Sequence, residues 1–364
     1  MKGLLIFIFI SIVCAACSIT GTGGEPPRAH SEQNGADKPD TRQSDAKNGS
    51  VTVYTARHYE ADSVLFEAFT ERTGIEVIEI KGTAEELVAR MKREGERTDA
   101  DLFFTVDGGV LNFAKRENVL QPLRSDTLDN QVPARWRDPD YYWTGVATRA
   151  RVIVYAKDRV KPEELSTYES LTDEKWKGRV LIRSYSNLYN QSMLASFIAL
   201  NGEEKAEQWA RGIANNFARA PEGGDRDQAK AIADGIGDVA IMNTYYVGQL
   251  AASKDPEEVR TAESLGVFFP NQETTGTHIN ISGIGLARYS HNPDNALKLV
   301  EYLTGKEGQT LLAKESFEFP VNEAAEVTEP LKSWGSFKAQ RLDFSVMEKY
   351  REKAVAIFKR AGWA

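Results

Sequence analysis

From Val51 onward, apolar and polar residues follow two periods that predict strands and helices in turn. The segment VTVYTA is a short β-favouring run, and ADSVLFEAFTERTG then carries apolar residues at helical spacing and ends at Gly74. IEVIEI predicts the next strand, and TAEELVARMKREG opens with a capping box of Thr83 and Glu86 and ends at Gly95. ADLFFTV predicts a third strand before the helix DGGVLNFAKRENV. This alternation predicts βαβ units and a largely parallel sheet.

A second set of strands and helices follows the first along the chain. Strands are predicted at RVIVYAKD (151–158), RVLIRSY (179–185) and DVAIMN (238–243), and helices at NQSMLASFIALNG, AEQWARGIANNFA and DQAKAIADGIG. LGVFFP and GIGLAR then predict strands, and NPDNALKLVEYLTG, KEGQTLLAKE and DFSVMEKYREKAVAIFKRAG predict helices. Two α/β sets in a chain of 364 residues predict an α/β protein with two domains.

The first 17 residues, MKGLLIFIFISIVCAAC, are predicted to be a signal peptide. Lys2 is followed by an apolar run over 4–13 and then by small residues, which is the charge and cleavage pattern of such a segment. The run is too short to span a bilayer permanently. Two alanines before Cys17 resemble a bacterial lipoprotein signal, in which the cysteine is lipidated and begins the mature chain, although Cys14 stands where leucine is usual. Plain secretion with cleavage after Ala16 is the alternative.

Residues 18–50 are predicted to be a flexible linker between this anchor and the folded part. Gly, Pro, Ser, Asp and Lys dominate the stretch, which has no aromatic residue and cannot bury enough apolar surface to offset ordering. His30 within it is expected to be a solvated bystander. The sequence therefore predicts a cell-envelope protein that is lipid-anchored through Cys17.

Composition and motifs exclude several classes of function. The formal net charge of −8 argues against a nucleic-acid partner, which usually meets a clustered basic face. Cys14 and Cys17 are the only cysteines, so the folded part has no disulfide and no thiolate metal site. No GxGxxG follows a strand, and Walker A, GxSxG and HExxH are absent. An enzyme is not predicted, although an envelope enzyme with a carboxylate or tyrosine acid/base pair stays an open alternative.

Three predicted strand-to-helix turns carry tyrosine. Ligands of open α/β sheets lie beyond the carboxyl ends of the strands, where these turns are. The turns hold His58 with Tyr59, Tyr185 with Tyr189, and Tyr245 with Tyr246. Phenolates are hard oxygen donors that suit a hard, highly charged cation, and such a cation would ionise phenols that titrate near pH 10. From the residues alone the tyrosines could also be packing aromatics, or an aromatic box for a small anion or polyamine.

The segments YTARHY, RSYSNLYN, GDVAIMNTYY and GTHINISG, in this order, resemble the bacterial periplasmic iron(III)-binding proteins of ABC importers, especially the Fut-type branch. The resemblance covers 51–325. It implies the type II substrate-binding fold, in which two crossover strands join two lobes around an iron cleft. The lobes implied are 51–147 with 277–364, and 148–276. An ABC importer permease is the implied partner, and the protein is expected to be a monomer.

The resemblance also implies a ligand set. His58 and Tyr59 would come from the first lobe, and Tyr189, Tyr245 and Tyr246 from the second. Arg149 matches an arginine near the metal that pairs with tyrosinate or with bound carbonate, and carbonate or water would complete the shell. Iron(II) as the physiological cargo stays open. Structural or packing roles outside the ligand shell are expected for His278, Tyr185 and Asp107, with Arg151 and Arg183 as nearby cations.

Overall fold

The computed structural model describes residues 49–363. The predicted signal peptide, Cys17, His30 and all but the end of the predicted linker lie outside these residues. Within 49–363, no helix is both long enough and apolar enough to cross a membrane.

The strands largely follow the hydrophobic pattern. In the described part of the chain they are β1 (Ser50–Thr55), β2 (Glu76–Lys81), β3 (Leu102–Thr105), β4 (Leu120–Gln121), β5 (Thr144–Ala156), β6 (Val180–Leu181), β7 (Val239–Asn243), β8 (Leu265–Phe268), β9 (Ile279–Ala287) and β10 (Phe319–Pro320).

The helices are α1 (Glu60–Thr73), α2 (Ala84–Glu94), α3 (Gly108–Arg116), α4 (Asp126–Gln131), α5 (Leu188–Asn201), α6 (Glu203–Asn215), α7 (Asp225–Ala233), α8 (Thr244–Ala251), α9 (Pro256–Ser264), α10 (Pro293–Thr304), α11 (Lys306–Ser316), α12 (Leu331–Trp334), α13 (Ser345–Lys349) and α14 (Arg351–Arg360). The capping box of Thr83 and Glu86 forms at the start of α2, and Gly74 ends α1 in the left-handed conformation with φ 71°. Both predicted helix signals are therefore confirmed.

Two predicted elements are shorter or interrupted in the structure, and β5 and β9 begin earlier than predicted, at Thr144 and Ile279. The strand predicted at 179–185 is only two residues long, because the chain after Leu181 turns away and Asn187 caps α5 through its side chain. The last predicted helix is interrupted at Tyr350, whose φ of −107° and ψ of 6° lie outside the helical region, and this residue separates α13 from α14.

The strands form one mixed sheet in the order β2-β1-β3-β9-β5-β7-β6, with β4 on β9 and with β8 and β10 on β5. Only β1/β2, β1/β3 and β6/β7 are parallel pairs, and the other pairs are antiparallel. The prediction of a largely parallel sheet was therefore wrong. The reason is that β5 and β9 both run against their neighbours, a direction that the hydrophobic pattern of a strand does not encode.

Strand β5 connects two halves of this sheet. All 13 of its residues are buried, and its first part pairs with β9 as far as Ala150. From Arg151 onward it pairs with β7, and from Ile153 with β8. Arg149 and Arg151 therefore lie where the strand changes partners, in the region that the sequence predicted as a crossover.

Apolar side chains form a core on each half of the sheet. One core joins β1, β3 and β9 to α1 and α10. Another joins β5, β6 and β7 to α5 and α6, around Trp176 and Trp209. Ile357 and Phe358 of α14 pack in this second core. The predicted lobe boundaries, 51–147 with 277–364 and 148–276, stay predictions.

Candidate metal centre

The turn after β1 places Tyr59 at the start of α1. Tyr59 is the N-cap residue of this helix and has an extended backbone (φ −97°, ψ 135°). Its side chain therefore projects from the end of β1 and not from the side of the helix. Its ring is buried and packs in a small cluster with Val106, Tyr189 and Tyr245. The carboxyl end of β1 therefore places the Tyr59 phenol next to Tyr189 and Tyr245, which come from the other half of the sheet.

Tyr189 and Tyr245 come from two further strand-to-helix junctions. Tyr189 lies in the first turn of α5, which follows β6, and Tyr245 lies in the first turn of α8, directly after β7. Both are buried, Tyr245 completely. Because β6 and β7 are parallel neighbours, their carboxyl ends meet at one edge of the sheet and bring the two tyrosines together.

The three phenol oxygens form a triangle. The oxygen of Tyr59 lies 3.0 Å from that of Tyr245 and 3.4 Å from that of Tyr189, and the Tyr245 and Tyr189 oxygens are 3.2 Å apart. Oxygens on adjacent vertices of an octahedron around a small cation, each about 2.0–2.1 Å from it, lie about 2.9 Å apart. The triangle thus has close to the spacing of three neighbouring ligands of one small, hard cation.

Tyr246 and His58 lie beside this triangle. The Tyr246 ring is 4.3 Å from the Tyr245 ring, at an interplanar angle of 37°. The His58 ring lies 4.8 Å from that of Tyr59, and His58 itself is exposed. Although His58 is accessible to solvent, the partial desolvation of its imidazole, and then the charge of Arg57, lower its pKa, which favours the neutral ring that a metal ligand requires. All five predicted ligands are therefore grouped at one place.

Burial keeps the phenols protonated. It raises the pKa of Tyr59 and of Tyr245 well above the ordinary value, and the negative charge that Tyr189 would carry raises both further. Burial is also the main cause that raises the pKa of Tyr246, with a smaller opposing effect of its hydrogen bond with Tyr245. The raised pKa values of Tyr59, Tyr245 and Tyr246 favour the neutral phenols, and a positive charge among them would favour ionisation.

A buried network of charges lies next to the phenols on the side of β1 and β9. The Arg57 guanidinium is 4.4 Å from the Tyr59 ring centre and donates to Asp62, with Nε–Oδ2 and Nη2–Oδ1 distances of 2.8 Å. Its Nη2 also donates to Glu318 Oε2 at 3.0 Å. All three side chains are almost completely buried. The carboxylates, with Asp62 first, raise the pKa of Arg57 in spite of the opposing effect of burial.

Arg149 joins the same network from β5. Its Nη1 donates to Ser282 Oγ at 3.2 Å and lies 3.7 Å from Glu318 Oε1, while Ser282 Oγ donates to that carboxylate at 2.9 Å. The guanidinium lies 5.2 Å from the centre of the Tyr189 ring. Its Nε and Nη2 are buried and have no hydrogen-bond partner among the described residues. Arg149 thus presents two free donors and a positive charge close to the tyrosines.

A second group of charges lies on the side of β7. Arg151 and Arg183 both approach the Tyr189 ring, at 5.9 and 5.7 Å from its centre, and both lie near the fully buried Asp225. Arg151 Nη2 donates to Asn190 Oδ1 at 2.8 Å, which fixes the first turn of α5 where Tyr189 lies. These cations raise the positive potential around the phenols and so favour their ionised form.

Three other residues that the sequence singled out lie outside the triangle. His278 is buried, and its Nδ1 is 3.2 Å from Ser196 Oγ and 3.1 Å from Gln340 Oε1, so it has the structural environment that was expected. Asp107 caps α3 and accepts from Ser192, Asn280 and Arg351. Tyr185 packs at the edge of the core around Trp176.

Sequence reasoning assigned no specific role to Arg57, Asp62 or Glu318. A basic residue two positions before Tyr59 was a usable signal for Arg57, and an acidic first turn of α1 was one for Asp62. Glu318 gave no such signal, since it follows α11 and is 261 residues away from the arginine that it contacts. Within 49–363, no group of three or more His, Cys, Asp or Glu side chains is placed to hold a metal, so the tyrosine cluster is the candidate centre in this part of the chain.

Comparison with known proteins shows a solute-binding family. The pattern of the "Bacterial extracellular solute-binding protein" family matches residues 98–346. The iron uptake protein A1 of Synechocystis sp. is 44% identical over 313 residues, which cover 86% of this chain and 87% of that protein.

Solved structures show the same similarity. A Trichodesmium protein, IdiA (FutA), in complex with iron and citrate ligands has 45% identity and a TM-score of 0.82, covering 87% of this chain and 100% of that one. The ferric binding protein from Campylobacter jejuni has 39% identity and a TM-score of 0.82, covering 86% of this chain and 100% of that one.

Proposed function

The chain belongs to the bacterial extracellular solute-binding proteins, and on this premise we propose that it captures iron(III) outside the cytoplasm and delivers it to an ABC importer. The predicted resemblance and the predicted fold class, a two-lobed type II substrate-binding fold, are both confirmed by its relatives. The family consists of solute-binding proteins and not of enzymes, in agreement with the expectation from the motifs.

The triangle of phenol oxygens carries the proposal. Three tyrosines from three separate junctions converge so that their oxygens lie 3.0–3.4 Å apart, close to the spacing of oxygens around one small cation. Three phenolates neutralise iron(III), and a fourth from Tyr246 leaves one negative charge that Arg149 balances. The hard oxygen set suits a hard trivalent cation.

We assign the ligand roles on this basis. Tyr59, Tyr189 and Tyr245 bind the ion as tyrosinates, Tyr246 is the fourth oxygen ligand, and His58 completes the set from the exposed side. Carbonate or water fills any remaining position. The two free donors of Arg149 support an anion there, since a buried guanidinium recognises carboxylate-like groups in a bidentate manner.

Capture is proposed to work by closure of the lobes. His58 and Tyr59 precede α1 on one lobe and the remaining tyrosines lie on the other, so closing the cleft completes the shell and removes water from it. Release follows when the lobes reopen, when the phenolates are protonated, or when the ion is reduced to iron(II), which matches a phenolate shell less well.

The visible spectrum of the purified protein tests this function. Iron(III) bound to tyrosinate absorbs visible light, so adding one equivalent should produce a colour that a chelator or a reductant removes. A protein of the same fold that binds a small anion or a polyamine would stay colourless with iron. That result would contradict the proposed function.

Membrane anchoring is a separate part of the proposal. We propose that Cys17 is lipidated, that the linker to residue 50 tethers the folded part to the membrane, and that the monomer meets its permease there. The change Cys17→Ala should move the protein from the membrane fraction to the soluble fraction of the envelope. If the variant stayed in the membrane fraction, lipidation at Cys17 would be wrong, while iron binding would be unaffected.

A further inference from the structure

A cavity of about 1020 Å³ lies away from the tyrosine cluster. It is bounded by the segments 134–143 and 337–347 and reaches the first residue of β9, Ile279. We call it the β9 cavity. None of the proposed iron ligands lines it.

Ile279 in the lining of the β9 cavity lies on the opposite face of β9 from the residues near Arg149. Arg149 is paired with Asn280 in the ladder and bonds to Ser282, so these side chains share one face. Side chains alternate along a strand, which places Ile279 on the other face.

The wall of the β9 cavity is largely aromatic. Trp136 and Trp143 flank Phe344, with ring centres 6.1 and 6.3 Å from it. Phe337 and Met347 extend this apolar surface. A concave site with such a wall favours a ligand with a flat apolar or aromatic body.

Unpaired hydrogen-bond donors lie in the same lining. Trp143 is 4% exposed and Gln340 is 6% exposed, and neither Trp143 Nε1 nor Gln340 Nε2 has a partner among the described residues. The oxygen of the same amide, Gln340 Oε1, lies 3.1 Å from His278 Nδ1. Arg137 Nε is a third buried donor without a partner there. A buried donor without a partner is unfavourable, so the lining favours a ligand that presents acceptor oxygens.

The charged residues of the lining indicate whether the acceptor of the ligand is neutral or anionic. The lining carries four cations and one carboxylate, Asp343, although the whole chain has a formal net charge of −8. The four cations are Arg135, Arg137, Lys338 and Arg341. Arg135 and Arg137 also contact surface carboxylates, whereas Arg341 is exposed and has no ion-pair partner among the residues described. The acceptor that fits this lining is therefore an anion.

We propose that the β9 cavity is a binding site for a small organic anion that has an aromatic body and a carboxylate. The aromatic body packs against the wall formed by Trp136, Phe337 and Phe344, and the carboxylate accepts from the unpaired donors and lies near Arg341. The site does not depend on iron binding, since it shares no residue with the tyrosine cluster.

Isothermal titration calorimetry of the full chain with 2-naphthoate tests the site, with the neutral analogue 2-naphthylmethanol as the matched ligand. The acid should bind saturably at one site and the alcohol at least about 10-fold more weakly, as expected for loss of a charge-assisted contact. Arg341→Gln should weaken the binding of 2-naphthoate by about 10-fold, because it also removes a charge-assisted contact. Trp143→Phe keeps the aromatic wall and removes the N–H, so it should weaken binding by about 3–10-fold.

Arg93→Gln on the exposed face of α2 is the matched control and should leave the affinity for 2-naphthoate unchanged. Equal affinity for acid and alcohol, absence of a saturable heat, or unchanged affinity in the Arg341→Gln variant would each overturn the proposal. Arg341 is exposed, so its variant should fold even if Trp143→Phe does not. The iron spectrum of each variant separates this inference from the proposed function, because the colour should persist in all of them.

Discussion

The phenol oxygens of Tyr59 and Tyr245 lie 3.0 Å apart, although 186 residues separate them in the chain. One follows β1 and the other follows β7, on the two halves of the sheet that β5 connects. Burial raises the pKa of both. Two phenolates could not occupy this space without a cation between them, so a metal bound here must replace protons.

Removing one phenol oxygen should disable iron capture. Loss of a residue that only supports a metal ligand typically costs about 10–100-fold in affinity. Tyr245→Phe, which deletes a direct ligand and keeps the ring, is therefore expected to weaken iron(III) binding by more than about 100-fold. Competition with a chelator of known affinity, followed by visible absorbance, measures the effect.

Tyr289→Phe is the control for this change, since Tyr289 is 37% exposed and lies outside the cluster. Its affinity should equal that of the unmodified protein. An unchanged affinity in the Tyr245→Phe variant would contradict the ligand assignment.

Iron binding should release protons. The raised pKa values of Tyr59 and Tyr245 mean that both phenols are protonated before the metal arrives, and each must lose its proton to bind as tyrosinate. With Tyr189 as the third ligand and Tyr246 as the fourth, about three to four protons should leave per ion. Affinity should therefore rise with pH. Calorimetry in buffers of different ionisation enthalpy counts these protons, after subtraction of those released by the iron chelate.

The same count in the Tyr246→Phe variant tests whether that residue ligates. A ligand at this position should lower the count by one. A count near zero in the unmodified protein would show that iron is not bound by phenolates.

The change Glu318→Gln should destabilise the iron-free protein more than the iron-bound protein. The carboxylate of Glu318 is the buried partner of Arg57 and lies 3.7 Å from Arg149. Breaking a buried ion pair by removing one partner typically costs about 3–5 kcal/mol. Iron would bring tyrosinates next to the same guanidinium groups and restore part of the lost negative charge. Thermal unfolding with and without iron should therefore show a larger increase in Tm on iron binding in this variant.

Glu323→Gln is the matched control, because the Glu323 side chain is 76% exposed and its pair with Arg135 is at the surface. Such pairs contribute about 0–1 kcal/mol, so its unfolding should be nearly unchanged. If iron raised the Tm of the Glu318→Gln variant and of the unmodified protein equally, the charge of Glu318 would not be coupled to the metal centre.

His278 should make stability depend on pH. Burial lowers its pKa from 6.5 to about 4. Between these two values the unfolded chain binds a proton at this ring and the folded chain does not, so stability falls as the pH drops through this window. The loss amounts to about 3 kcal/mol when complete. Urea unfolding between pH 4 and pH 7 measures it.

His278→Gln should flatten this part of the pH profile, and His291→Gln, at an exposed position, should not. An unchanged profile in the first variant would mean that other groups cause the acid sensitivity.

Local sequence determined the elements and the residues at their junctions. The capping box at Thr83 and the glycine after α1 act over a few residues, so both could be recognised from the sequence. The tyrosines at 59, 189 and 245 could be identified as candidates for the same reason, because strand ends and helix starts are local features. The family resemblance then predicted a ligand role for them, which hydrophobic periodicity could not have done.

Long-range packing decided the rest. Strand direction depends on the partner strand, so the sequence indicated neither the antiparallel pairing of β5 and β9 nor the packing of α14 in the second core. Glu318 became part of the candidate centre only because folding brings it next to Arg57 across 261 residues. The sequence thus determined which phenols were available and where each leaves its strand. Only the tertiary structure decided that their oxygens meet within 3.4 Å and which buried charges surround them, because burial and distance belong to pairs of residues that are remote in the chain.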